Sequence, residues 1–129
     1  MIILIPLSDI YSIYQLTDKQ EIPAEILSSG FCSVTKTEDE VSIVTNCTTD
    51  FDFLQSPKKW KGFKVEGILD FSLVGIIHDI TRPLKENGIS VFVVSTFNTD
   101  YVFVTEDNFE KAIEIFRLSE KITIMKPGI

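Results

Sequence analysis

The order of segments from residue 61 onwards constrains the fold most strongly, because it predicts strand, helix, strand, strand, helix, strand. Residues 61–69 alternate apolar and polar side chains, as a half-buried strand does. Two further strands, 89–97 and 101–104, flank a short polar segment, and 121–126 is a last strand. This order is the split βαβ pattern of an α+β, ferredoxin-like βαββαβ sandwich. It predicts a four-stranded antiparallel sheet with both helices on one face.

Two helices fill the gaps between these strands. The first has a stripe at helical spacing and is expected to begin at an N-cap provided by Asp70 or Ser72 and to end at Gly88. Pro83 is expected to kink or shorten its last turn. Thr105 is a candidate N-cap for the second helix, with acidic residues in its first turn. The buried stripes are Leu73, Ile76, Ile77, Ile80 and Leu84 in the first helix, and Phe109, Ala112, Ile113 and Phe116 in the second.

The first half of the chain carries a faint repeat of the second. Residues 36–45 align with 96–105 at a constant offset of 60, which pairs Ile43 with Phe103 and Thr45 with Thr105. We therefore predict two units in tandem, 1–60 and 61–129, of which the first is degenerate. Its helix is short, and residues 46–60 form an irregular linker with about one helical turn. We expect the linker to be pinned to the sheet by its large apolar side chains: Phe51, Phe53, Leu54 and Trp60.

Composition excludes several classes of function. A formal charge of −7 disfavours nucleic acid as a partner, because an acidic chain repels phosphate. Two cysteines without metal-site spacing indicate no disulfide framework and no zinc site. The apolar N-terminus is interrupted by Pro6 and Asp9, which argues against a signal peptide or a membrane span and for the cytoplasm. No nucleophile motif accompanies the single histidine, His78, so we expect no catalytic residue, no metal, no cofactor and no enzyme.

A polar segment between two apolar strands, residues 95–100, is the candidate site. The amides that open the preceding helix, at "ILDFSLVG", attract carboxylates, and Gly75 allows close approach of a ligand or another chain. Asp100 is a partner for an ammonium group. The structural alternatives are that Gly75 serves helix packing and that Asp100 caps a turn, and the residues alone favour these alternatives. Strands "VFVV" and "YVFV" are apolar on both faces, so the other half of the chain or a second subunit must cover one face.

Three stretches, "SVTKTEDEVSIV", "VEGILDFSLVGII" and "GISVFVVSTFNTDYVFV", resemble small tandem ACT-domain proteins and the ACT pairs of aspartate kinases and CASTOR-type arginine sensors. The resemblance implies two ACT-type units that bind a small amino-acid-like ligand at an interface between ACT units, in a homodimer. It places the ligand-binding residues in the loop before the first helix and at the end of the neighbouring strand: Leu69, Asp70, Phe71, Ser72, Gly75, Ser95, Thr96, Phe97 and Asp100. The first-unit counterparts are expected at Ser33, Val34 and Thr35.

One departure from the resemblance affects the ligand. The arginine sensors have an acidic residue two positions before the helix glycine, and this chain has Leu73 there. The resemblance therefore implies a neutral or apolar ligand side chain, next to Phe71, Leu73 and Phe97. The expected function is a non-catalytic, amino-acid-binding regulatory module. The alternative is a structural or protein-interaction module without a small-molecule ligand.

Overall fold

The computed structural model describes residues 2–66 and 75–125 of the 129-residue chain. Residues in contact divide into two units, Asp9–Trp60 and a second unit that combines Met1–Ser8 with Lys61–Ile129. In chain order the elements are β1 (Ile2–Pro6), β2 (Ser12–Leu16), α1 (Ala24–Leu27), β3 (Cys32–Lys36), β4 (Val41–Thr45), β5 (Leu54–Gln55), β6 (Trp60–Val65), α2 (Ile76–Glu86), β7 (Val91–Ser95), β8 (Asp100–Thr105), a single 3-10 turn (Glu106–Asn108), α3 (Phe109–Arg117) and β9 (Ile122–Ile124).

The second unit has the predicted βαββαβ order, with one strand more than predicted. Its sheet has the order β7-β8-β6-β1-β9, so β1 lies between the first and last strands of the motif. Strand β1 pairs antiparallel with β6 and parallel with β9. The prediction of a four-stranded antiparallel sheet is therefore wrong. The sheet has five strands, and the β1–β9 pairing is parallel. The same pairing groups Met1–Ser8 with Lys61–Ile129, which differs from the predicted division into 1–60 and 61–129.

The core of this unit lies between the sheet and its two helices. Among the described residues twelve buried ones form it, and α2 and α3 contribute Ile80, Leu84, Phe109, Ala112 and Phe116 to it. Gly88 ends α2 as predicted, with φ +70 and a hydrogen bond from Ile89 N to Leu84 O of 2.9 Å. Pro83 does not shorten α2, which continues three residues further, to Glu86.

The start of α2 differs from the prediction. The helix begins at Ile76 after Gly75, whose left-handed backbone (φ +84, ψ 0) cannot belong to a right-handed helix. The proposed N-caps, Asp70 and Ser72, and the first stripe residue, Leu73, lie outside the described residues. Among the helices in the described part of the chain, none is long and apolar enough to cross a bilayer.

A glycine accommodates an aromatic ring on the sheet face that points away from the helices. Phe103 in β8 is fully buried there, and its ring stacks on Phe92 of β7 with centroids 4.7 Å apart. On its other side the ring lies over Gly62 of β6, where an added Cβ would be 2.8 Å from two ring carbons. A side chain at position 62 would therefore displace the ring.

The first unit has the same strand order with fewer helical residues. Its sheet has the order β3-β4-β2-β5. In the order of the βαββαβ motif, β2, β3, β4 and β5 correspond to β6, β7, β8 and β9 of the second unit. The first helix is only α1, and within residues 46–53 no second helix is present. The expected helical turn in the linker is therefore wrong. In place of a helix, Phe51 and Phe53 cover Tyr14, with ring centroids 6.0 and 5.9 Å from the Tyr14 ring. Leu54, also expected to pin the linker, is 70 % exposed.

The repeat between the units is real but its offset is 59 rather than 60. In one hairpin Cys32 pairs with Thr45 and Lys36 with Val41, and in the other Val91 pairs with Val104 and Ser95 with Asp100. Ile43 therefore corresponds to Val102, and both are fully buried in the core of their own unit. The predicted offset matched Ile43 to Phe103, which lies on the opposite face. A slip of one residue moves every side chain of a strand to the other face.

Candidate functional site

The hairpin between β7 and β8 ends in a four-residue loop, Thr96 to Thr99, that two threonines close. Thr96 N donates to Thr99 O at 2.8 Å, and Thr99 N donates to the Thr96 hydroxyl at 3.2 Å. The first unit closes its own loop in the same way, because Glu40 N donates to the Thr37 hydroxyl at 3.2 Å. The Thr96 hydroxyl thus serves the turn, which is the structural alternative for that residue.

The hairpin tip is fixed to the end of β6 by one buried side chain. Thr99 is 4 % exposed, and its hydroxyl donates a 2.8 Å hydrogen bond to the carbonyl oxygen of Val65. Residues 67–74 follow β6 after Glu66 and lead to Gly75. The bond therefore holds the loop of the hairpin at the point where the connection to α2 departs. Sequence reasoning missed Thr99, although a threonine in a predicted hairpin is compatible with this role.

Ser95 and Asp100 form the last pair of the hairpin and contact each other directly. The Ser95 hydroxyl donates to Asp100 Oδ1 at 2.5 Å. Within the described residues Asp100 forms no ion pair, so its second oxygen can accept a further donor. Phe97 at the tip is 85 % exposed. The tip therefore presents a carboxylate and an aromatic ring, a combination that suits the ammonium and the side chain of an amino acid.

Gly75 is the N-cap of α2, and its role is conformational. A Cβ at this position would meet no atom of the described residues within 4 Å, so packing against those residues does not require a glycine there. The left-handed φ of +84 does favour glycine. No side chain caps the amides of this helix end within the described residues, which leaves them able to bind an anion.

The remaining predicted site residues, Leu69, Asp70, Phe71 and Ser72, lie outside the described residues. The structure corrects the expected first-unit counterparts, Ser33, Val34 and Thr35, because they lie within β3 at positions equivalent to Phe92, Val93 and Val94. The hairpin-tip residues Ser95, Thr96, Phe97 and Asp100 correspond to Lys36, Thr37, Glu38 and Val41. The first unit therefore lacks the acidic and aromatic pair that the second unit presents.

Titratable groups outside the hairpin tip include His78 and Asp79 in α2 and Cys32 in β3. The side chain of His78 is 67 % exposed, and its Nδ1 is 3.5 Å from Asp79 Oδ1. Desolvation raises the pKa of Asp79, but hydrogen bonds and charge from His78 and Lys121 together outweigh it and hold the pKa below its ordinary value. Burial raises the pKa of the Cys32 thiol, which disfavours a reactive thiolate. Within the described residues no group of three or more His, Cys, Asp or Glu side chains is placed to bind a metal.

Comparison with known proteins gives two matches to family models. The model described as an ACT domain matches residues 55–117, which include α2, the β7–β8 hairpin and α3. A second model, for an N-terminal domain, matches residues 9–51, within the first unit.

Relatives and solved structures agree with these matches. The chain is 31 % identical over 98 residues to the cytosolic arginine sensor for mTORC1 subunit 1 from Bos taurus, a match that covers 70 % of this chain and 30 % of the sensor. The chain thus spans about a third of the length of that curated relative. The structure of Atu0741 from Agrobacterium tumefaciens is 33 % identical, with a TM-score of 0.86 over 99 % of this chain and 95 % of that one.

A third comparison is with a multidomain enzyme. The aspartate kinase of Clostridium acetobutylicum has a TM-score of 0.58 at 15 % identity, over 83 % of this chain and 32 % of the kinase chain, which shows similarity of fold alone. The matched model, the shared strand order of the two units and these similarities agree with one another. The chain therefore contains an ACT domain, which the family model matches at residues 55–117.

Proposed function

We propose that this protein is a non-catalytic regulatory module that binds a free amino acid at the tip of the β7–β8 hairpin. The observation that carries the proposal is the pairing of Ser95 with Asp100 beside the exposed Phe97. The Thr99–Val65 bond supports it, because it holds these residues where the connection to α2 departs. A bovine relative is described as an arginine sensor, and this supports amino-acid binding by sequences of this kind.

Each part of an amino acid has a counterpart in this proposal. The ammonium group pairs with the free oxygen of Asp100, and the carboxylate binds the uncapped amides at the start of α2. The ligand's side chain packs against Phe97, which favours an apolar or neutral side chain over arginine. Leu73, in the place of the sensors' acidic residue, supports the same preference.

The proposed site lies at an interface between ACT units of two chains. In this proposal Phe97, which is 85 % exposed in the single chain, becomes buried at that interface. Regulation follows if the ligand binds one arrangement of the units more tightly than another. The same exposed ring suits a protein partner, so a pure interaction module is the second candidate.

A thermal-shift screen of the purified chain against the twenty amino acids tests the proposal. Ligand at about 100 times its dissociation constant should add about 2.7 kcal/mol of stability and raise the melting temperature. Calorimetry of any amino acid that raises it should then give a saturable heat. If no amino acid raises the melting temperature or gives heat, the binding function is wrong and the interaction module is favoured.

A further inference from the structure

A cleft in the second unit, far along the sheet from the hairpin tip, has a lining that the proposed function does not use. Its volume is about 320 Å³, and it lies between α3, the end of β9 and the segment that follows β1. Its walls are mainly apolar, with three charged residues among them. The lining residues are Pro6, Leu7, Ser8, Lys61, Phe109, Glu110, Ile113, Arg117, Ile124 and Met125.

The sequence of α3 explains this combination. Phe109, Ile113 and Arg117 recur every four residues and so lie on one face of the helix. This face therefore presents two apolar side chains followed by a guanidinium. Met125, which is 43 % exposed, and Ile124 continue the apolar wall at the end of an edge strand.

The charge of the cleft is opposite to that of the chain. The cleft has two cations, Lys61 and Arg117, and one anion, Glu110, whereas the whole chain has a formal charge of −7. A second cleft, between α2 and α3, is neutral, since Asp79 and Glu86 balance Arg82 and Lys121. A third, beside the β3–β4 turn, has four acidic residues and one lysine. Of these three clefts, the one between α3 and β9 has a net positive charge. It is therefore the one that attracts an anion.

The two cations of this cleft have no carboxylate partner within residues 2–66 and 75–125. Lys61 Nζ lies 4.3 Å from the centroid of the Phe109 ring. Neither Lys61 nor Arg117 forms an ion pair with another residue in the described ranges. By contrast, Arg82 is paired with Glu86 at 2.7 Å, and Lys121 lies 3.4 Å from Asp79.

We propose that this cleft binds a small carboxylic acid with an apolar chain, such as a medium-chain fatty acid. The carboxylate pairs with the guanidinium of Arg117, whose planar geometry suits two parallel hydrogen bonds. Lys61, beside Phe109, adds positive charge to the cleft, and the apolar chain packs on Ile113, Ile124 and Met125. A volume of about 320 Å³ lies at the lower end of the range for small-molecule clefts.

Octanoate is the probe for this site, followed by NMR of methyl-labelled full-length protein. We expect saturable shifts at the methyl groups of Ile113, Ile124 and Met125, and a binding isotherm with one site. Octan-1-ol, which has the same chain without the carboxylate, should bind at least about tenfold more weakly, because a charge-assisted hydrogen bond is lost. Equal affinity for the alcohol, or no saturable shift at these methyl groups, would overturn the proposal.

Three variants, each with one cation replaced by methionine, test which positive charge binds the carboxylate. Arg117→Met should weaken octanoate binding by about tenfold or more, and Lys61→Met by a smaller factor of about three. Lys111→Met removes the same charge from an exposed position of α3 that does not line the cleft, and it should bind as the wild type does. Equal losses in Arg117→Met and Lys111→Met would mean that net charge alone acts, which contradicts the proposal.

The site is independent of the proposed amino-acid site, and the two are tested separately. Asp100→Ala should leave octanoate affinity unchanged, and Arg117→Met should leave amino-acid affinity unchanged. If octanoate affinity falls in Asp100→Ala as much as in Arg117→Met, the cleft is not the binding site.

Discussion

The hydroxyl of Thr99 donates a 2.8 Å hydrogen bond to the carbonyl oxygen of Val65, and this bond joins the tip of one hairpin to the end of the neighbouring strand. Both residues are buried, at 4 and 2 % exposure. The bond thus has a structural role, and it also holds the loop that carries Phe97, between Ser95 and Asp100, at the end of β6. It links the stability of the sheet to the geometry of the proposed ligand site.

Thr99→Val should lower the free energy of unfolding by about 1–3 kcal/mol, because valine has the same shape and leaves the Val65 carbonyl without its donor. Urea unfolding measures the difference. Thr123→Val is the matched control, since Thr123 is exposed in β9. If the two variants are equally stable, the bond does not contribute as described.

Gly62→Ala should destabilise the second unit by about 1–3 kcal/mol, because its Cβ would be 2.8 Å from two carbons of the buried Phe103 ring. The double variant with Phe103→Leu should lose less than the sum of the two single losses, since the smaller side chain relieves the overlap. Chemical denaturation of all four proteins gives the coupling free energy. If the two single losses add up to the loss of the double variant, the Phe103 ring does not require a glycine at position 62.

Gly75→Ala should cost about 1–2 kcal/mol, although an added Cβ would meet no atom of the described residues within 4 Å, because the residue has φ +84. Gly75→Asn should cost less, since asparagine adopts left-handed backbone more readily. Thermal unfolding of both variants tests this difference. Equal losses, or an alanine variant as stable as the wild type, would mean that the backbone conformation does not select glycine here.

Local patterns predicted most of the second unit. The alternation of residues 61–69, the helical stripe that includes Ile80 and Leu84, and the glycine at 88 correspond to β6, α2 and the end of that helix. The position of β1 was missed, because its parallel pairing with β9 joins residues about 120 apart and leaves no local pattern. The start of α2 was placed too early because a left-handed Gly75 is not visible in apolar spacing.

The hairpin that carries the candidate site was predicted, and ligand binding there stays a prediction. Phe97 and Asp100 lie at the tip between the two predicted strands, and the Thr96 hydroxyl closes the turn. The offset of the repeat was predicted wrongly because apolar residues occupy both faces of β8. An alignment of apolar letters therefore could not distinguish an offset of 60 from the true 59.

The central claim is tested most directly by isothermal titration calorimetry on three proteins, with an amino acid that the thermal-shift screen selects as the ligand. The wild type should bind it saturably, and Asp100→Ala should bind it about ten- to a hundredfold more weakly, because the ammonium loses a charged acceptor. Asp39→Ala removes the same charge from the corresponding hairpin of the first unit, and it should bind as the wild type does. Equal affinity in the wild type and Asp100→Ala, or an equal loss in Asp39→Ala, would contradict binding at the Ser95–Asp100 tip.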